Sequence, residues 1–153
     1  MKTIITFCIT IFFATLMQSQ NRTEVELFKA QYNKEKTDLV AEFMNLYPEE
    51  SEAFWPIYKK YEDERSLIAN ERIRLLNQYV EYYENLTNEQ AAYWTKDVIK
   101  LQKKELKIKK KYNKSLGKAT SPLLALRFFQ FEETLQTEIK SLILKNIPLI
   151  DDY

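Results

Sequence analysis

The side chains of this sequence that are best placed to do chemistry are its lysines. From Lys96 to Lys118 the chain has ten lysines and two acids, a local charge of +8. Residues 42–64 contain seven acids and two lysines, a local charge of −5. The lysine segment could form a basic surface that attracts acidic or unfolded polypeptides by electrostatic steering, with Lys103, Lys107 and Lys110 as candidate contacts. The alternative is a solvated helix face whose lysines pair with the acidic segment.

Aromatic side chains supply a second candidate surface. Phe128 and Phe131 lie on one helical stripe and are expected in the core, whereas Tyr83 and Phe129 fall outside their stripes and are expected to be exposed. Exposed aromatic rings can grip apolar segments of another polypeptide, since large apolar patches on a monomer mark binding surfaces. A dimer interface or ordinary packing would explain them equally well.

Residues typical of enzymes and metal sites are missing from the sequence. There is no histidine, and the single cysteine, Cys8, lies in an apolar N-terminal run. Zinc and copper sites depend on these ligands, and catalysis loses its commonest general base. The acidic pairs Glu49/Glu50 and Glu132/Glu133 are adjacent, so they point around a helix and are expected at the surface. One glycine excludes a phosphate-binding glycine loop. We therefore expect a protein without enzymatic activity that binds neither a cofactor nor a metal ion.

The first 19 residues predict a secretory signal peptide. Met1-Lys2 precedes an apolar run of about 14 residues, shorter than the roughly 20 that span a bilayer, and Ser19 offers a cleavage site. Cleavage would remove Cys8 and leave a single domain, residues 20–153, without a disulfide. It would also remove Lys2 from the 23 basic residues, which leaves as many basic as acidic residues. The mature protein is therefore expected outside the cytoplasm.

Composition and periodicity predict an all-α fold. One glycine and four prolines leave few turn signals, and apolar residues recur at helical spacing throughout. We expect four amphipathic helices, in an extended or curved helical hairpin or bundle. Their predicted bounds are residues 24–46, 48–85, 88–116 and 122–147. Gly117 is expected to cap the third helix, Ser121 to begin the fourth, and Pro56 to bend the second or mark its true start.

The junction between the second and third helices contains Leu86-Thr87-x-x-Gln90. Thr87 and Gln90 form a capping box, with Leu86 as a hydrophobic staple. Here the chain resembles the Spy/CpxP-like periplasmic proteins, whose hallmark is Leu-Thr-x-x-Gln at the start of a helix, usually twice. A degraded second copy, Leu46-Tyr47-Pro48-Glu49-Glu50, departs from the motif because Tyr47 cannot cap as threonine does.

The resemblance implies a periplasmic, ATP-independent chaperone-like protein of the envelope stress response that forms a homodimer and holds unfolded or misfolded envelope proteins. The alternative is a signalling adaptor that binds the periplasmic domain of a membrane stress sensor. Related members bind metal through histidine. Because this chain has no histidine, the resemblance does not imply metal binding for it. Nucleic acid is not expected, because the chain is exported and its lysine segment lacks arginine for reading bases. Contact with anionic lipid is a subordinate alternative.

Overall fold

A computed structural model of the chain describes residues 35–145, 147, 148 and 150. The predicted signal peptide and the first part of the first helix lie outside these residues. The chain divides into two compact units, residues 1–43 and 44–153. The described residues form helices joined by short connections and contain no strand, so the predicted all-α class is confirmed.

Helix α1 is described from residue 35 to residue 44. It ends earlier than the predicted Leu46, because Asn45 adopts a left-handed conformation with φ of 39°. Asparagine tolerates this conformation better than other non-glycine residues and commonly ends helices in this way.

Helix α2 spans Pro48–Tyr82 and continues into a 3₁₀ turn, Tyr83–Asn85. It begins at Pro48. The amide hydrogen that proline lacks would have no partner within the helix at this position, so its absence does not destabilise the helix. Pro56 lies inside the helix and does not mark its start. As expected, the Tyr47 side chain makes no cap, but its backbone N–H donates to the Glu50 carboxylate at 3.1 Å. One of the two hydrogen bonds of a capping box is therefore present at the start of this helix, although the capping residue is not a threonine.

Helix α3 spans Asn88–Ala119 and begins at the predicted capping box. The Gln90 N–H donates to Thr87 Oγ1 at 3.2 Å, and the Thr87 N–H donates to Gln90 Oε1 at 2.9 Å. The prediction that Gly117 caps this helix is wrong. Gly117 lies within the helix, and Thr120 ends it, with its N–H and hydroxyl both donating to the Leu116 carbonyl.

Helix α4 spans Pro122–Leu144 and begins as predicted. The Leu124 N–H donates to Ser121 Oγ at 3.1 Å, and Pro122 occupies the first helical position. Only Thr120 and Ser121 separate α3 from α4, so the chain reverses sharply there. The same short connection brings Gly117 of α3 close to Pro122 and Ala125 of α4.

Within residues 44–153, α2 packs on α3 and α3 packs on α4. The core has two parts. Ile68 and Leu75 of α2 pack with Leu101 of α3. An aromatic cluster joins the start of α2 to α4, with ring centroids 4.9–5.8 Å apart. Its members are Phe54, Tyr58, Tyr61, Phe128 and Phe129.

None of the helices in the described part of the chain has the length and the apolar character that a membrane span requires.

Candidate functional site

The lysine segment forms the solvent-facing side of α3. Leu101, Tyr112 and Leu116 of this helix are buried and fix which side faces the core. The Tyr112 hydroxyl strengthens this orientation by donating to the Lys60 carbonyl of α2 at 3.0 Å. Lysines at other positions of the helix must therefore point sideways or outwards. Apart from Lys118 in the last turn, the structure divides them into two groups.

The first group of lysines pairs with acids of the neighbouring helices. Lys104 binds Glu71 of α2 at 2.7 Å, and Lys111 binds Glu64 of α2. Lys109 binds Glu133 of α4. In each case the hydrogen bond from the lysine lowers the pKa of the carboxyl group below its usual value. These lysines join helices, and their charge is compensated. Only Lys111 pairs with the acidic segment, residues 42–64, as the alternative in the sequence analysis expects, whereas Lys104 and Lys109 pair with acids outside it.

The second group forms a row without ion pairs. Lys103, Lys107 and Lys110 are exposed, and no ion pair or hydrogen bond involves them in the part of the chain that the structure describes. Lys96, Lys100 and Lys114 share these properties and extend the row in both directions. The spacing of four, three, four, three and four residues places all six on one side of the helix. We call Lys96, Lys100, Lys103, Lys107, Lys110 and Lys114 the lysine row.

Exposed apolar side chains lie beside the lysine row. Ile99 and Leu106, seven residues apart on α3, are 45% and 52% exposed. Each is four residues before a lysine of the row, Lys103 and Lys110, and so neighbours it on the helix surface. The outer side of α3 therefore combines uncompensated positive charge with exposed hydrocarbon.

The two aromatic residues that the sequence analysis placed at the surface are not exposed. Phe129 is partly buried, with its ring 4.9 Å from Phe128 and 5.7 Å from Tyr61. Tyr83 is also partly buried, 6.2 Å from Tyr79. Both rings extend the core, which agrees with the packing alternative. They do not lie on the lysine-bearing helix, and the exposed aromatic residue of α3 is Tyr93.

The sequence analysis predicted the wrong environment for the side chain of Glu132. It was expected at the surface, but it is 0% exposed. Its Oε1 accepts from the Tyr61 hydroxyl at 3.0 Å and from Gln136 Nε2 at 3.1 Å. Arg65 Nε lies 3.8 Å from the same oxygen and is held by Glu62. The signal that would have located it is its position four residues after the buried Phe128.

The electrostatics of this buried cluster favour a neutral Tyr61 and a charged Arg65. Burial raises the pKa of Tyr61 well above its usual value of 10, and the carboxylate of Glu132 adds to this effect. Burial disfavours the charged form of Arg65, but Glu62 and Glu132 outweigh it and raise the pKa of the guanidinium. The cluster therefore holds a neutral tyrosine and a charged arginine against two carboxylates, Glu62 and Glu132, an arrangement suited to fixing helices.

Leu86, Thr87 and Gln90 form the local cap already described. Leu86 is partly buried, and Thr87 and Gln90 are exposed and bonded to each other. Over the described residues, no group of histidine, cysteine, aspartate and glutamate side chains could hold a metal ion.

Comparison with known proteins adds no assignment: no protein-family model, curated protein or solved structure matches this chain. The functional argument therefore rests on the lysines of α3 and their surroundings.

Proposed function

We propose that this chain is a periplasmic, ATP-independent chaperone-like protein of the envelope stress response that holds unfolded clients. The observation that carries the proposal is the uncompensated charge of Lys103, Lys107 and Lys110, beside lysines of the same helix that are fully paired. Six exposed ammonium groups without partners create a field that draws acidic or unfolded polypeptides to this side of α3.

The apolar part of the client surface lies on the same helix. Since Tyr83 and Phe129 are partly buried, Ile99, Leu106 and Tyr93 are better placed to contact apolar client segments. Charge would bring the client to the surface, and contact with exposed hydrocarbon would retain it. No nucleotide is needed for such a cycle of capture and release.

The test is aggregation of two unrelated unfolded proteins, followed by light scattering with and without residues 20–153. We expect suppression of both at near-stoichiometric ratio, weakened by added salt because exposed charges are screened within about 8 Å at physiological ionic strength. The triple variant Lys103→Glu, Lys107→Glu, Lys110→Glu should lose this protection.

A matched control changes the same amount of charge elsewhere. Lys59, Lys60 and Lys145 are exposed and lie outside α3, so their replacement by glutamate should leave protection intact. Circular dichroism would verify that both variants remain helical. Equal protection by the two variants would contradict the role of the lysines. If neither aggregating protein is protected, broad chaperone activity is excluded, and crosslinking should search for a single sensor domain, as the adaptor hypothesis predicts.

A further inference from the structure

We propose that the outer side of α3 is a docking surface for an anionic lipid bilayer. This inference goes beyond the proposed function, because it concerns a ligand that is flat and uniformly charged rather than a polypeptide. It rests on the linear arrangement of the lysine row, the lack of ion pairs to its six lysines among the described residues, and the apolar residues beside it.

The geometry of the row suits a flat surface. Lys96 and Lys114 are 18 residues apart on a continuous helix, which places them about 27 Å from each other along its axis. The four lysines between them keep to the same side. A row of exposed ammonium groups along one side of a helix can contact several headgroups of a bilayer at the same time.

The chemistry of the row suits many equivalent phosphates rather than one. Lysine presents a compact charge on a flexible stem, without the fixed fork of donors with which arginine recognises a single phosphate or carboxylate. No described residue holds the six ammonium groups in place by an ion pair or a hydrogen bond. They remain free to follow headgroups that diffuse within the bilayer.

Ile99 and Leu106 provide the second part of the surface. A helix that lies on a bilayer buries apolar side chains at the boundary between headgroups and acyl chains, with lysines beside them. Both residues are about half exposed and flank the row on one side. Since no described helix can span a bilayer, the contact would be peripheral. The opposite side of α3 packs against the rest of the bundle, so docking requires no unfolding.

Cosedimentation with vesicles tests this proposal. Vesicles of phosphatidylcholine with one third phosphatidylglycerol should carry residues 20–153 into the pellet, and vesicles of phosphatidylcholine alone should not. Each lysine near an anionic surface contributes about fivefold to the partition coefficient. The variant Lys96→Glu, Lys100→Glu, Lys114→Glu should therefore lose about a hundredfold or more in binding, and Leu106→Ser should lose a smaller factor.

The control is again the replacement of Lys59, Lys60 and Lys145 by glutamate, which should leave vesicle binding unchanged. Equal pelleting with neutral and anionic vesicles would overturn the proposal, as would equal binding by the two triple variants. Binding to soluble poly-glutamate without binding to anionic vesicles would also overturn it and would favour acidic polypeptides.

The experiment also separates this proposal from the proposed function. Vesicle binding is measured without a client, and client protection is measured without lipid, so either can fail alone. Lys103, Lys107 and Lys110 belong to both surfaces. If both proposals hold, anionic vesicles should therefore release a bound client, whereas neutral vesicles should not.

Discussion

Glu132 shows how a single residue can fix the position of a helix. Its carboxylate is fully buried in α4 and accepts from Tyr61 of α2, 71 residues earlier in the chain. Removing a charge from water is costly unless hydrogen bonds compensate for it. A shift of α4 along α2 by one helical turn, about 5.4 Å, would break the 3.0 Å hydrogen bond between the Tyr61 hydroxyl and this carboxylate. The cluster therefore favours that alignment over others that an aromatic core alone would permit.

Replacing Tyr61 with phenylalanine should lower the free energy of unfolding by about 1–3 kcal/mol, because a fully buried carboxylate loses one of its donors. Urea unfolding followed by circular dichroism measures the change. Tyr93→Phe is the matched control, since Tyr93 is 61% exposed and should show almost no effect. Equal stability of the two variants would mean that the Tyr61 hydroxyl contributes nothing.

Glu132 also marks a limit of prediction at the scale of single residues. Its neighbour Glu133 is exposed and pairs with Lys109, so two adjacent glutamates have opposite environments. The same holds for the lysines: Lys104 pairs with Glu71 of α2, whereas its neighbour Lys103 lies on the outer side of α3 and forms no ion pair with the described residues. The sequence locates the charged segment. Which of its lysines form ion pairs, however, depends on how helices that are distant in the chain pack against one another.

At the scale of elements, the sequence predicts the start of a helix correctly where the capping residues lie close together in the chain. Thr87 with Gln90, and Ser121 with Leu124, set the starts of α3 and α4 through hydrogen bonds between residues three apart. Pro122 adds a favourable first helical residue to α4. The end of α3 was misjudged because Gly117 was expected to adopt a left-handed conformation. Thr120 instead donates to the Leu116 carbonyl through both its N–H and its hydroxyl, and the glycine remains helical.

Because Gly117 is helical, replacing it with alanine should stabilise the protein by up to about 1 kcal/mol. The new methyl group would lie 3.7 Å from Pro122 Cα and 3.8 Å from Ala125 Cβ, which are ordinary van der Waals distances. The midpoint of urea unfolding should rise. Gly117→Leu is the contrasting variant, since its larger side chain has no room beside α4 and should lower the midpoint. A loss of stability in Gly117→Ala would show that the α3–α4 contact tolerates no added atom.

At the scale of the whole molecule, ion pairs connect all three helices of the larger unit. Glu64 and Glu71 of α2 and Glu133 of α4 each accept from a lysine of α3. The ion pairs lower the pKa of all three carboxyl groups below 4.5, their usual value. A carboxyl group with a lowered pKa stabilises the folded state above its unfolded pKa, and this stabilisation is lost as the pH falls through the folded pKa.

We therefore expect stability to be constant from neutral pH to about 5 and to fall progressively below the unfolded pKa of about 4.5. Thermal unfolding at a series of pH values measures this dependence. The double variant Glu64→Gln, Glu71→Gln should show a shallower decline, because it lacks two of the groups that must be protonated. An unchanged slope would mean that these exposed pairs contribute no stability in solution.

The order of the helices has a consequence for the speed of folding. Each helix of residues 44–153 packs on the next one in the chain, and proteins dominated by such local contacts fold within microseconds to milliseconds. We expect α2 and α3 to pair first, since their connection is short, and α4 to dock later through Tyr61 and Glu132. In a Trp55→Phe background, Trp94, whose ring lies 5.0 Å from Tyr79, would report the first step by stopped-flow fluorescence. Tyr61→Phe should then accelerate unfolding while leaving the rate of refolding almost unchanged.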